Sequence, residues 1–288
     1  MLLRHDEKPF NDFREKALWR TSLTTAEGLK EKLHHPLLEV TGINAWAIML
    51  DTLHTLDLGV CSHLYGNLLA ELQEQRPESR EKALQQLNLE IASIYTELGV
   101  PAGQRIKVLY QSDIRGKKAE EFPCLKHVKG RRIRHFAQVA TVLAERYNTT
   151  RAGEHRLKAC QAMERVCNIL DLRVVVWDAV TKQDFEKQVK TFGLHYGWLA
   201  KNAMQNREFK YSIVQKHHLF CHLPEMAKSL TPRHFWCYGS ESFMGLSVKL
   251  ASSCVYGTPG YKVPERMITK YRCAQSLVCR KLVQLEDD

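Results

Sequence analysis

The spacing of apolar residues along the chain predicts a protein built mainly from helices. Over five stretches, apolar side chains recur at three- and four-residue intervals, which is the period of an amphipathic helix. These stretches are 53–72, 78–98, 130–147, 152–170 and 182–204. Because no strand pattern separates the later ones, we expect an all-helical block over 77–205.

Two short apolar runs outside that block predict strands. Ala45–Leu50 is long enough for a buried strand but too short for an independent helix, and Phe235–Tyr238 is a short aromatic run of strand-like composition. Further helices are expected over 212–229, from Gly239 to about Cys254, and from Pro264 to about Leu282. We therefore predict a mainly α fold with a few short strands, divided into residues 1–76, 77–205 and 206–288.

Composition and charge indicate a folded, basic protein. Hydrophobic residues make up 44% of the 288 residues and charged residues 26%, which is enough apolar material for a buried core. The net charge of +10 favours phosphate-rich partners, although a merely basic soluble surface explains it equally well. No apolar run reaches the roughly 20 residues of a membrane span, so we expect no membrane association.

The cysteines indicate a reducing compartment. All nine are scattered without a C-x-x-C pair, and the first residues lack the pattern of a signal peptide. Most of the cysteines are then expected to be small buried apolar residues rather than disulfide partners. We therefore expect a nuclear or cytoplasmic protein.

The first candidate site is the pair Asp51 and His54. Asp51 is placed to cap the helix that follows it, and His54 lies one turn later on the same side. A capped helix with a partly buried histidine is the alternative to a chemical role. Gly59, inside the same predicted helix, costs about 1 kcal/mol relative to alanine, which suggests that another part of the chain packs closely there.

A second candidate is the segment that carries Lys216, His218 and His222. The two histidines lie four residues apart on one helical face, a spacing that suits metal chelation. No acidic residue completes an H-E-x-x-H motif, so the histidines could instead position phosphates or a water molecule.

Glu241 is a third candidate because it opens a helix directly after the aromatic run. The positive end of a helix favours a carboxylate and a nearby phosphate, and Lys249 follows two turns later on the same face. The alternative is a first-turn glutamate that only stabilises its helix.

A basic cluster precedes the apolar turns of the helix predicted over 130–147. Such an arrangement can lay cations along a phosphate backbone while the rest of the helix packs inward, although a solvated helix end has the same composition. The cations are Lys126, Lys129, Arg131, Arg132 and Arg134.

Taken in order, these segments resemble the transposases of CACTA (En/Spm) and Plavaka-like DNA transposons. The resemblance extends over about residues 19–250, and the sequence around Glu241 departs from the family's usual E-R-x-N-G. The matching elements are His35-Pro36-Leu37, Asp51 and His54 with Leu58-Gly59-Val60, Lys216 with His218 and His222, and Glu241 with Gly245 and Lys249.

The resemblance implies a ribonuclease H-like core interrupted by a helical insertion. In such enzymes two aspartates and a glutamate bind two Mg²⁺ ions that promote attack on a phosphodiester. Glu241 would be the third carboxylate and a metal ligand, with Asp51 and His54 as an auxiliary pair. The residues before Asp51 do not supply two strands ending in aspartate. We therefore interpret the chain as the C-terminal half of such a transposase, unable to hold Mg²⁺ unless the missing carboxylates are supplied.

Three functions remain compatible with the sequence. The first is a transposase-derived protein that binds DNA, with self-association allowed, but lacks activity by itself. The second is a helical protein-interaction module in which the former catalytic segments serve only as part of the packed core. The third is an active hydrolase that uses an unrecognised set of carboxylates, a hypothesis that convergence of Asp51, Asp57 and Glu241 would strengthen.

Overall fold

The structure, a computed structural model, describes residues 49–115 and 121–286, and the chain divides into two compact units, residues 1–236 and 237–288. The described part of the first unit begins with a π-helix, Leu53–Cys61, and continues with α-helices. These are α1 (Ser62–Glu74), α2 (Arg80–Glu97), α3 (Gln111–Ile114), α4 (Gly130–His135), α5 (Ala137–Arg146), α6 (Arg151–Leu170), α7 (Ala179–Gln205) and α8 (Gln215–Met226).

The mainly helical prediction is confirmed, but the predicted aromatic strand is wrong. Within residues 49–115 and 121–286 no β-strand occurs. Pro232–Phe235 forms a 3₁₀ turn, and Tyr238 already begins the next α-helix. Pro232 occupies the start of the turn, where its fixed φ favours helical backbone over a strand. The run at Ala45–Leu50 lies mostly outside the described residues.

The expectation of a ribonuclease H-like core gains no support from the described residues. Such a core is built around a β-sheet, and the part of the chain that is described contributes no strand to one. What the sequence predicted as a helical insertion over 77–205 is mainly helical where it is described, but it packs into the same unit as the π-helix and α8. The predicted boundaries at 76/77 and 205/206 both fall inside the first unit, and the three-part division stays a prediction.

The core of the first unit lies where α6 and α7 pack along each other, with α5 against α6. Buried side chains from these three helices include Val139, Leu143, Met163, Phe185, Phe192 and Leu199. Their three- and four-residue spacing is the apolar pattern that predicted the helices. Gly193 and Gly197 lie inside α7, which runs through both without interruption.

A buried polar group ties α6 to α1 inside this core. The Arg156 guanidinium, fully enclosed, bonds the carboxylate of Glu71 and also donates to the Tyr147 carbonyl at 3.1 Å. The Tyr211 hydroxyl donates to the same Glu71 carboxylate at 2.9 Å. Each buried charge is therefore compensated by a partner, which is the condition under which charged groups are tolerated in a core.

The second unit is a pair of packed helices, α9 (Tyr238–Val255) and α10 (Val263–Glu286), joined through a 3₁₀ turn at Gly260–Lys262. Both helices were predicted. The Lys270 ammonium donates to the Ser253 carbonyl at 2.9 Å and links the two. In the described ranges, no helix combines the length and apolar character that a bilayer crossing requires.

Candidate functional site

The π-helix Leu53–Cys61 is the element around which the predicted site residues of the first unit are arranged. π-helices are rare, usually short, and often found at functional sites. The Asp51 carboxylate accepts hydrogen bonds from the backbone amides of Leu53, at 3.0 Å, and His54, at 3.3 Å. It also bonds the Nδ1 atom of His54, whose ring is exposed. Asp51 thus caps the helix as expected, and the Asp51–His54 pair forms within one turn.

An acid in the middle of the π-helix forms a buried ion pair. Asp57 is fully buried, and its Oδ2 atom accepts a hydrogen bond from Arg134 at 2.8 Å. Only 5% of the Arg134 side chain is exposed. Arg134 was predicted to contact DNA, but it points inward from α4 and is removed from the solvent-exposed basic surface. Its charge instead joins α4 to the π-helix.

Arginine–tryptophan contacts continue this network to the end of the first unit. The guanidinium carbons of Arg134 and Arg233 lie over the Trp236 ring, 4.9 and 4.5 Å from its centroid. Asp171, at the end of α6, lies 3.5 Å from Arg134 and 3.9 Å from Arg233. Cations stacked on an indole face gain electrostatic attraction, so the network holds these segments against the π-helix.

A second motif element, Lys216 in the first turn of α8, packs on the second half of the π-helix. The Lys216 ammonium donates to the Leu58 carbonyl at 3.0 Å. Its stem covers Gly59 so closely that a Cβ atom there would lie 2.7 Å from the Lys216 Cδ atom. The sequence suggested that another part of the chain packs closely on Gly59, and the structure shows that this part is the Lys216 side chain. Two of the segments that carry the family resemblance are in direct contact.

His218 and His222 form a pair on α8. Their Nε2 atoms are 3.0 Å apart, and their rings meet edge to face with centroids 4.5 Å apart. Burial, and next the charge of His222, lower the pKa of His218 to about 4. His218 is therefore neutral at physiological pH and can meet a phosphate only as a hydrogen-bonding group.

The predicted basic segment leads from α3 to α4 and is anchored by its backbone. The Leu125 amide donates to the Ser62 carbonyl at 2.9 Å, and the Lys126 amide to the Asp113 carbonyl at 2.7 Å. Lys129 and Arg131 are exposed and Arg132 is half-buried. Lys126 forms an ion pair with Glu121 at 2.9 Å. Four of the five predicted cations thus remain accessible, in whole or in part, beside the π-helix.

Glu241 and Lys249 belong to the second unit, where both are exposed on α9. Glu241 lies in the first turn of that helix, and its amide donates to the Cys237 carbonyl at 2.8 Å. The predicted convergence of Glu241 with Asp51 and His54 joins residues of different units and stays a prediction.

The acidic residues of the described first unit do not fit a two-magnesium centre. Mg²⁺ requires hard oxygen ligands in octahedral geometry. Asp57 is paired with Arg134, and the potential ligands grouped with it are the thiols of Cys61 and Cys167. Asp51 is engaged in capping and with His54. Asp57, one of the carboxylates whose convergence would strengthen the active-hydrolase hypothesis, is thus engaged with Arg134, and that hypothesis stays a prediction.

The sequence reasoning missed the Asp57–Arg134 pair and the cysteines beside it. A signal was present, since Asp57 stands between Leu56 and Leu58 in a segment that is otherwise strongly apolar. A carboxylate enclosed by apolar residues is seldom tolerated without a partner. Its partner, 77 positions away, could not be identified from spacing alone.

Comparison with known protein families, with curated proteins and with solved structures yields no significant match to this chain.

The buried histidine at the start of α8 predicts acid sensitivity. Burial, and next the charge of His63, lower the pKa of His217 to about 3; its ring also lies 4.6 Å from that of Tyr196. The folded state thus takes up the proton less readily than the unfolded state. The contribution of neutral His217 to the free energy of unfolding is therefore fully present above pH 6.5 and is lost as pH falls toward 3.

At pH 4.5 we expect His217 to have removed about 2 to 3 kcal/mol from the free energy of unfolding. Urea unfolding of the wild type and of His217→Gln across pH 4.5–7.5 measures this. The variant should start less stable and show a shallower loss toward acid pH. If the free energies of unfolding of the two proteins fell in parallel with pH, His217 would not be the source of the acid sensitivity.

Proposed function

We propose that this chain is a transposase-derived DNA-binding protein without strand-transfer activity of its own. The observation that carries the proposal is the contact between motif segments: Lys216 covers Gly59 and bonds the Leu58 carbonyl. Segments that are 158 positions apart and that resemble transposase motifs in order thus pack as one structural element. The nuclear or cytoplasmic location expected from the sequence is part of this proposal.

The DNA contact is assigned to the basic surface, defined as Lys126, Lys129, Arg131 and Arg132. These residues lie along the entry to α4, which the Arg134–Asp57 pair fixes to the π-helix. Cations on a fixed backbone match successive phosphates at little cost in conformational entropy, and such contacts bind DNA without reading its sequence. His218 would add a neutral hydrogen-bonding group, with His222 beside it.

A charge-matched comparison tests the assignment. Lys129, Arg131 and Arg132 are replaced together by alanine in one variant, and exposed Lys107, Lys187 and Lys201 are replaced in the control, so both lose three positive charges. Binding to a fluorescent random-sequence duplex is measured by anisotropy at low salt. We expect the first variant to bind at least about tenfold more weakly than the control. Equal losses of DNA affinity in the two variants would mean that binding depends only on total charge, and would contradict the assignment to the basic surface.

The absence of strand-transfer activity is tested separately. With Mg²⁺ and supercoiled DNA, we expect no nicking above background, because the described first unit offers no set of oxygen ligands suited to Mg²⁺. Glu241→Ala, on the exposed first turn of α9, is the control. Nicking that is robust in the wild type and lost in this variant would refute the inactive assignment.

A helical interaction module is the second candidate, favoured by the apolar surface of α9. Phe243, Met244, Leu246 and Val248 are 52%, 61%, 54% and 60% exposed. Consecutive large apolar side chains at this exposure are typical of surfaces that bind protein, including a second copy of the same chain. If the chain is such a module, the two triple-alanine variants would bind DNA equally poorly. Met244→Asp would then abolish self-association in sedimentation experiments.

A further inference from the structure

Three potential metal ligands meet in the core of the first unit. An oxygen of Asp57 and the sulfurs of Cys61 and Cys167 lie within 4.8 Å of one another. All three residues are buried. Asp57 and Cys61 are one turn apart on the π-helix, and Cys167 comes from the last turns of α6. Each cysteine is an unoxidised thiol.

The charges around this cluster suit a divalent cation bound by thiolates. Asp57 and Arg134 already cancel each other's charge. If both thiols are deprotonated when a divalent ion binds, the ion and the two thiolates together add no net charge. A buried site can therefore be filled without the large cost of an uncompensated charge.

Neighbouring polar groups support the same assignment. Arg134 donates to the Asp57 carboxylate, and such an outer partner fixes the orientation of a ligating oxygen. The Tyr65 hydroxyl is buried near the Cys61 sulfur. A hydroxyl positioned beside a sulfur stabilises a thiolate once a metal has removed the proton.

We propose that Asp57, Cys61 and Cys167 form a structural site for a thiolate-preferring divalent cation of the Zn²⁺ class. Thiolate sulfur and carboxylate oxygen are both ligands that zinc accepts, whereas sulfur is a poor ligand for Mg²⁺. Binding replaces the two S–H protons, which are released to solvent, and involves no change of oxidation state. The bound ion would join the π-helix to α6 and so rigidify the element that carries the Asp51–His54 pair.

The experiment uses the full chain, purified under reducing conditions and loaded with Zn²⁺ or, as a spectroscopic probe, Co²⁺. We expect a stoichiometric amount of metal, release of two protons per ion in weakly buffered calorimetry, and a thiolate-to-cobalt charge-transfer band. The melting temperature should rise on Zn²⁺ addition.

Variants locate the site. Cys61→Ser and Cys167→Ser should each weaken the charge-transfer band and reduce Zn²⁺ affinity at least about tenfold, the loss already seen when only an outer partner of a ligand is removed. Cys160→Ser removes another buried thiol of α6, seven positions from Cys167 and outside the cluster, and should bind like the wild type. Circular dichroism checks that each variant is folded.

Two histidine pairs are the competing locations. The Nδ1 atoms of His155 and His195 are 2.9 Å apart, and His218 and His222 are similarly close. Metal that survives both cysteine substitutions but disappears in His155→Gln or His222→Gln would overturn the proposal. So would a wild type that takes up no stoichiometric Zn²⁺ or Co²⁺, or a Cys61–Cys167 disulfide that persists under the reducing conditions.

Discussion

Replacing Asp57 with alanine, with Arg134 left in place, should lower the free energy of unfolding by about 3 to 5 kcal/mol. The carboxylate is fully buried and bonds the guanidinium at 2.8 Å. Its removal leaves the positive charge enclosed by protein without its buried carboxylate, and Asp171 is more distant, at 3.5 Å. Urea unfolding in the presence of a chelator measures the loss without any contribution from bound metal.

A double-mutant cycle separates this pair from simple loss of packing. Arg134→Met should also be strongly destabilising, but the Asp57→Ala/Arg134→Met variant should be less destabilised than the sum of the two, by at least about 2 kcal/mol. Lys228→Ala, which breaks the exposed ion pair with Glu225, is the control and should cost less than about 1 kcal/mol. Additive effects of the Asp57 and Arg134 changes would contradict the pairing.

Gly66→Ala is expected to have the second largest effect, a loss of about 3 kcal/mol. A Cβ atom on Gly66 would lie 2.5 to 2.7 Å from the backbone N, Cα and C atoms of Cys124. No real Cβ contact is this short, and a backbone cannot rotate away as a side chain can, so α1 or the segment before the basic surface must move. Overpacking of this kind typically costs 1 to 3 kcal/mol. Thermal unfolding followed by circular dichroism measures it.

Gly197→Ala is the matched control, since it places the same methyl group in another helix. No heavy atom lies within 4 Å of the corresponding Cβ position on α7. Alanine should there stabilise the helix by about 0.4 to 1 kcal/mol, because it has the higher helix propensity and restricts the unfolded chain. If Gly66→Ala were as benign as Gly197→Ala, the close approach between α1 and the Cys124 backbone would be wrong.

Helices whose apolar stripe faces a single core could be predicted from the sequence. The stretch 152–170 corresponds to α6, Arg151–Leu170, and 182–204 falls inside α7, Ala179–Gln205. Periodicity identifies such helices because burial against one neighbour imposes one stripe. The N-terminal caps of these helices also depend only on neighbouring residues, since the Thr150 and Asp178 side chains accept hydrogen bonds from amides three residues later.

The sequence did not predict features that depend on contacts between distant segments. The run 53–72 was expected to be one helix, but residues Leu53–Cys61 adopt a π-helix before α1 begins. The wider turn accommodates Asp57 against Arg134 and Gly59 against Lys216, and neither partner is near in sequence. The helix expected over 130–147 is likewise divided at Phe136, which is fully buried between α4 and α5.

For the candidate site, sequence patterns predicted local pairs of side chains more readily than contacts between distant segments. Asp51 with His54, and His218 with His222, could be paired from helical spacing, and both pairs form. Arg134 was assigned to the surface because it shares a cluster with Lys129, Arg131 and Arg132. Which member of a charged cluster turns inward depends on a buried partner that only the fold supplies.

The salt dependence of DNA binding tests the central claim most directly, because phosphate contacts release counterions and other contacts do not. We expect the logarithm of the wild-type binding constant to fall linearly with the logarithm of salt concentration. Replacing Lys129, Arg131 and Arg132 by alanine should reduce that slope by about 2.7, at roughly 0.9 per lost contact. A slope unchanged from the wild type in this variant, or a wild-type affinity that does not respond to salt, would contradict the account.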